Sequence, residues 1–167
     1  YENYIARLRG LRAHFDAYIE LIRTGLRDGI TIPRVVLEGV LDDLDAQLVS
    51  DPRESRFYLP FAGMPERIPP SEQERLRRAG VDAIRSSVLA GYRAFRDFMA
   101  NEYIPNARTE IGASSLPNGR AFYEHRVRMY TTLDVTPDEV HERGLAEVRR
   151  IRAEMDRVIE QTGFEGT

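Results

Sequence analysis

Residues 131–163 read TTLDVTPDEVHERGLAEVRRIRAEMDRVIEQTG, and this stretch opens on a helix start. The Thr136 hydroxyl is placed to cap an orphan N–H of the first turn, while Glu139, three residues on, reaches back to the Thr136 N–H. Pro137 suits the first helical position because its missing N–H would be unpaired there anyway. Asp138 and Glu139 favour the positive end of the helix dipole. Beyond the cap, His141, Leu145, Val148, Ile151, Met155 and Val158 recur at steps of three and four, one face of a long helix over 137–162. Gly163 supplies a left-handed stop.

The rest of the chain follows the same period. Tyr4, Leu8, Leu11, Phe15, Tyr18, Ile22 and Leu26 predict an amphipathic helix over 2–28, stopped at Gly29. Thr31-Ile32-Pro33 is expected to open a second helix over 33–49, with Leu37, Val40, Leu41, Leu44 and Leu48 inward, antiparallel to the first. Residues 51–70, DPRESRFYLPFAGMPERIPP, contain five prolines that forbid a continuous helix. Phe57, Tyr58, Leu59, Phe61 and Met64 are too apolar for a solvated linker, so the segment must dock. It reads either as a strap sealing one end of the bundle or as a functional loop. Ser71 and Glu74 suggest a second capping box, opening a helix over 71–104 whose face carries Leu76, Gly80, Ile84, Val88, Tyr92, Phe95, Met99 and Tyr103. Glycine inside a helix costs about 1 kcal/mol relative to alanine, so Gly80 and Gly91 point to close approach by another backbone. After a Gly, Ser and Pro-rich connection, a shorter helix over 119–131 is expected to turn Phe122, Tyr123, Val127 and Tyr130 inward. With no alternating segment and no internal repeat, the prediction is an all-α bundle of about five helices, four of them long, with an extended Pro/aromatic-rich docking loop. It reads as one helical domain, a bundle over 1–112 and a helical hairpin over 117–167.

Composition removes several chemistries. The 167 residues contain no Cys, which excludes thiolate zinc sites and cysteine nucleophiles. They contain no Lys either. All 24 basic residues are Arg, which excludes a lysine Schiff base or a phosphate-loop lysine. The net charge of −3, with signs interspersed, argues against nucleic acid as a partner. No apolar run reaches the ~18 residues of a membrane span. A start at Tyr1 without Met is what a processed or excised piece would show, and the parent's compartment stays open.

Helical zinc peptidases need two histidines four apart on one helix face with a glutamate beside the first. His141-Glu142 supplies half of that motif; the second ligand position holds Leu145. His14 and His125 are isolated and read as structural. His141 reads as a hydrogen-bonded core histidine or as a polar group in a cleft. Ser114-Ser115 and Thr131-Thr132 lack an evident His–Asp relay. Arg143/Glu147, Arg150/Glu154 and Glu154/Arg157 form a solvated charged face.

The order of segments adds a resemblance. FYLPFAGMPERIPPSEQERL, then YRAFRDFMANEYIPNARTEIGASSLPNGRAFYEHRVRMYTTLDVTPDEVHERGLAEVRRIRAEM, then GFEGT resemble bacterial proteins grouped as domain of unknown function 885. The most specific parts are Gly119 to Tyr123, Thr131-Thr132, the Thr136 to His141 run with Gly144, Glu147 and Val148, and Gly163-Phe164. The resemblance implies a longer, mostly helical parent similar to zinc metallopeptidases of the thimet oligopeptidase and carboxypeptidase Taq type. Its zinc motif would lie downstream of the part matched here. This chain then has no metal ligand, cofactor or catalytic residue of its own. It would form a wall of the peptide-substrate cleft and pack against the C-terminal catalytic half, with a homodimer of the fragment as a substitute for that half. The parent's localisation is left unknown, with secreted, periplasmic and lipid-anchored all open, since no signal lies in this chain. Tyr123, Arg126, Thr131, Thr132 and His141 are the candidate cleft-facing groups, since each can hydrogen-bond a peptide backbone. The alternative is a self-sufficient helical interaction module.

Overall fold

The computed structural model describes residues 1–163 and 166, and no strand occurs among them. Phe164, half of the closing Gly163-Phe164 match, lies outside the described residues. The fold is all-α, with the chain dividing into two compact units, Tyr1–Ile111 and Gly112–Thr167.

In the first unit α1, Glu2–Arg27, lies along one long helical run made of α4 (Pro70–Ala83), a π-helical stretch at Ile84–Leu89, α5 (Ala90–Phe98), a second π-helical stretch at Met99–Tyr103 and α6 (Ile104–Asn106). The two run in the same direction: Arg75 pairs with Glu2 at one end and Arg23 with Glu102 at the other. Ile5 and Leu8 pack with Phe61, Leu76, Ile84 and Val88. Further along, Ile19 packs with Leu37, Leu44, Phe98, Met99 and Tyr103. The long run covers the 71–104 expected from periodicity and passes Pro105. That proline cannot donate to Asn101, and its ring crowds the same carbonyl; the wider π turns lie immediately before it.

Three local expectations are corrected. The helix expected over 33–49 is broken into a 3-10 turn, Arg34–Leu37, and α2, Val40–Asp45. Glu38 is extended and Gly39 has φ +81°, a left-handed conformation that ends one helical piece and starts another. The returning segment therefore lies against α5, where Arg96 Nε donates to Asp45 at 2.9 Å. The long run starts at Pro70 with Pro69 as its cap and no side-chain capping bond, so the Ser71/Glu74 box does not form. Gly80 and Gly91 are approached closely, but by aromatic rings instead of backbone: a Cβ would sit 2.6 Å from Phe61 at the first and 2.4 Å from Phe15 at the second.

The 51–70 segment docks. It folds into short turns at Pro52–Glu54 and Arg56–Tyr58 followed by α3, Leu59–Ala62, so it is less extended than its prolines suggested. Phe61 is fully buried, with the rings of Tyr1, Tyr4 and Tyr58 within 6.0 Å of its centroid. The Tyr4 hydroxyl donates to the Phe57 carbonyl at 3.0 Å, fixing the strap to α1.

In the second unit α7, Gly119–Thr131, and α8, Pro137–Thr162, are joined through Thr132 to Thr136. Gly119 has to be glycine because a Cβ there would lie 2.0 Å from the Ala113 carbonyl oxygen. Both arms of the Thr136 box form: Glu139 N donates to Thr136 Oγ1 at 3.2 Å, and Thr136 N donates to Glu139 Oε2 at 2.7 Å.

Candidate functional site

The second unit differs from the first in how little of its apolar periodicity is covered. Among the described residues of α8 none is buried; Val148, Ile151, Met155 and Val158 leave 45–58% of their surface to solvent. On α7 the expectation that Phe122, Tyr123, Val127 and Tyr130 point inward is corrected. Phe122, Tyr123 and Tyr130 are exposed, Tyr130 at 72%, and Val127 is half-buried. Periodicity identifies a helix face but not what covers it.

One groove gathers Phe122, Tyr123, Arg126, Val127, Tyr130 and Thr131 of α7 with Val140 of α8. Three of the five sequence candidates, Tyr123, Arg126 and Thr131, therefore meet. Successive turns of α7 bring them onto one side, since positions three and four apart share a helix face. Arg126 is held over its neighbours. Its guanidinium carbon lies 4.8 Å from the Tyr130 ring centroid and 6.0 Å from that of Phe122, and Nη2 donates to Tyr130 Oη at 2.7 Å. The stacking supplies cation–π attraction and fixes the plane of the fork.

Thr131 is engaged in the turn itself: its hydroxyl donates to the Val127 carbonyl at 2.8 Å and accepts from Leu133 N at 3.2 Å. It also edges a second groove with Leu133, Val135, Glu139, Val140, Glu142 and Arg143. Thr132 lines neither groove; it is the C-cap of α7 with φ +58°, an uncommon conformation for a β-branched residue. His141 lines neither and is exposed near the start of α8, so the core-histidine reading is corrected. His14 and His125 are exposed as well, and His14 stacks beside Tyr18 with ring centroids 4.6 Å apart.

Groove residues outside the five cleft candidates are Phe122, Val127, Tyr130 and Val140. The available signal was Arg126 and Tyr130 at i and i+4, a spacing that lets a guanidinium lie on a ring. The electrostatics around the hairpin turn are set by the cap. Hydrogen bonds from the Thr136 backbone, and then from its hydroxyl, hold the Glu139 carboxyl below its ordinary range. Among the described residues no three His, Asp or Glu side chains gather as a metal donor set, and no helix is long and apolar enough to cross a membrane.

A structure similar to this chain is the crystal structure of the "putative lipoprotein from Colwellia psychrerythraea", with a TM-score of 0.77 and 18% identity over 98% of the present chain. That match takes up 28% of the relative's length, so this chain spans little more than a quarter of it. No curated protein matches. The family profile described as "Bacterial protein of unknown function (DUF885)" matches residues 1–167, and the chain belongs to that family.

Proposed function

We propose that this chain is the non-catalytic helical portion of a zinc-dependent metallopeptidase and forms part of its substrate-cleft wall. The observation that carries this reading is the uncovered surface of α7 and α8. An isolated unit has no use for a 26-residue helix with an apolar stripe and no buried residue, whereas a longer chain can cover that stripe with its own helices. The α7 groove beside it combines an apolar floor with a phenol and a guanidinium, which suits a peptide's side chains and carbonyls. The chain's similarity to 28% of a longer solved relative supports a division of labour of this kind. Zinc does not fit the donors described here, since His14, His125 and His141 do not converge with carboxylates. No chemical step is therefore assigned to residues of this chain.

The test compares the longer parent protein with the 167-residue chain after dialysis, measuring bound zinc and chelator-sensitive peptide cleavage. The expected outcome is stoichiometric zinc and cleavage in the parent and neither in the chain. A parent without zinc or cleavage would favour a helical interaction module instead. Stoichiometric zinc and cleavage in the 167-residue chain would overturn the non-catalytic assignment.

A further inference from the structure

Arg126 is set apart in the second unit by its place: of the arginines there without an ion pair among the described residues, which include Arg128, Arg143, Arg149 and Arg152, it is the one that lines the α7 groove, over two aromatic rings. Arg120 pairs with Glu124 at 3.1 Å, and Arg150 with Glu147 and Glu154 at 2.9 and 2.8 Å. Arg126 makes no ion pair among the described residues; its one side-chain hydrogen bond there goes to a neutral phenol. A guanidinium carries five N–H donors, so four remain to be used. Its surroundings in the groove are the rings of Phe122, Tyr123 and Tyr130 and the side chains of Val127 and Val140. An anion entering there meets a fixed, partly desolvated fork, and a planar carboxylate matches the fork in bidentate geometry.

We propose that the α7 groove binds the C-terminal carboxylate of a peptide whose last residue is apolar. The argument for a chain end is that apolar wall and cation are adjacent. A C-terminal residue presents an apolar side chain and a carboxylate from one Cα, whereas an Asp or Glu side chain brings the charge without the apolar group. The single guanidinium suits a monoanion, and the groove lining contains no second cation to neutralise a phosphate dianion. The floor of valines and aromatic rings gives a Phe or Leu side chain contact area that the charge alone does not. The inference deepens the cleft-wall reading by naming which end of the peptide the wall holds. It rests on that reading only for peptide as the ligand class.

The test uses the 167-residue chain and two probes, acetyl-Ala-Phe with a free carboxylate and its C-terminal amide. Binding is followed by titration calorimetry and by amide shifts of α7 in NMR spectra. The carboxylate is expected to bind about tenfold or more tightly than the amide, from charge-assisted hydrogen bonding to Arg126. Arg126→Gln should erase the difference, Arg126→Lys should keep part of it, and Arg128→Gln on the same helix should leave it intact. If Arg126→Gln loses the folded spectrum, the Arg126→Lys variant decides. Equal binding of the amide, no binding at millimolar peptide, or unchanged preference in Arg126→Gln would overturn the proposal. Tighter binding of inorganic phosphate than of the peptide, or a groove closed by concentration-dependent dimerisation, would overturn it too. Since carboxylate preference is read without turnover, its failure is distinguishable from failure of the cleft-wall reading in the parent.

Discussion

Gly80→Ala should destabilise the first unit even though alanine is the better helix former. An added Cβ would meet three carbons of the Phe61 ring at 2.6, 2.7 and 2.9 Å, while ordinary contact begins at 3.4 Å. The ring would have to retreat by about 0.8 Å. It has nowhere to go, because Phe61 has no exposed surface and the rings of Tyr1, Tyr4 and Tyr58 hem it in. Overpacking of this kind costs about 1–3 kcal/mol, and exchanging glycine for alanine within a helix returns about 1 kcal/mol. The net expectation is a loss of about 1 kcal/mol. Gly10→Ala is the internal control, since its Cβ would meet nothing within 4 Å. That variant should gain about 0.5–1 kcal/mol, separating the two substitutions by about 2 kcal/mol. Urea unfolding followed by far-UV circular dichroism, with amide exchange across 70–89 to localise the change, measures both. A double-mutant cycle with Phe61→Leu then isolates the clash: shrinking the ring should relieve most of the Gly80→Ala cost. Gly80→Ala as stable as Gly10→Ala, or no coupling to Phe61, would refute the packing argument.

Two further outcomes follow from local geometry. Thr132→Gly should stabilise the end of α7 by about 0.5–1 kcal/mol, because it removes a Cβ from a left-handed position, and slower amide exchange in the last turn of α7 would register it. Glu102 has its carboxyl lowered from 4.5 chiefly by the hydrogen bond from Arg23, so its contribution to folding is present above about pH 4.5 and is lost as pH falls through the depressed folded value. Glu102→Gln should therefore flatten the acid-side fall in urea midpoint between pH 5 and 3, and an unchanged slope would contradict the role given to this pair.

What the sequence made legible was set by short-range physics. The start of α8 was readable because Thr136 and Glu139 satisfy each other's backbone N–H groups locally and Pro137 has no N–H to leave unpaired, whatever lies around them. The break at Gly39 was not readable, since Leu37, Val40, Leu41 and Leu44 keep a helical period straight through it and only the backbone angle reveals the stop. The Ser71/Glu74 pattern failed because Pro69-Pro70 moved the start one residue earlier. Glycine spacing exposed the tight contacts at 80 and 91 but could not say that phenyl rings fill them. At the candidate site, residue type pointed to Tyr123 and Arg126 because phenol and guanidinium bind peptides. Exposure at Phe122 and Tyr130 depends on which element is packed opposite, and that is long-range information. Thr132 and His141 show the limit from the other side: their chemistry suits a cleft, but neither lines the groove that holds Tyr123 and Arg126.

The most direct test of the cleft-wall account is peptide turnover by the longer parent carrying Tyr123→Phe or His141→Ala, with zinc content and stability measured on the same preparations. The account predicts a selective kinetic loss for Tyr123→Phe, at a residue that lines the groove, with zinc and stability retained. His141→Ala, at an exposed side chain that lines neither groove, is the comparison and should leave turnover unchanged. Unchanged turnover in Tyr123→Phe with the fold intact would contradict the account, as would turnover that falls only in step with stability.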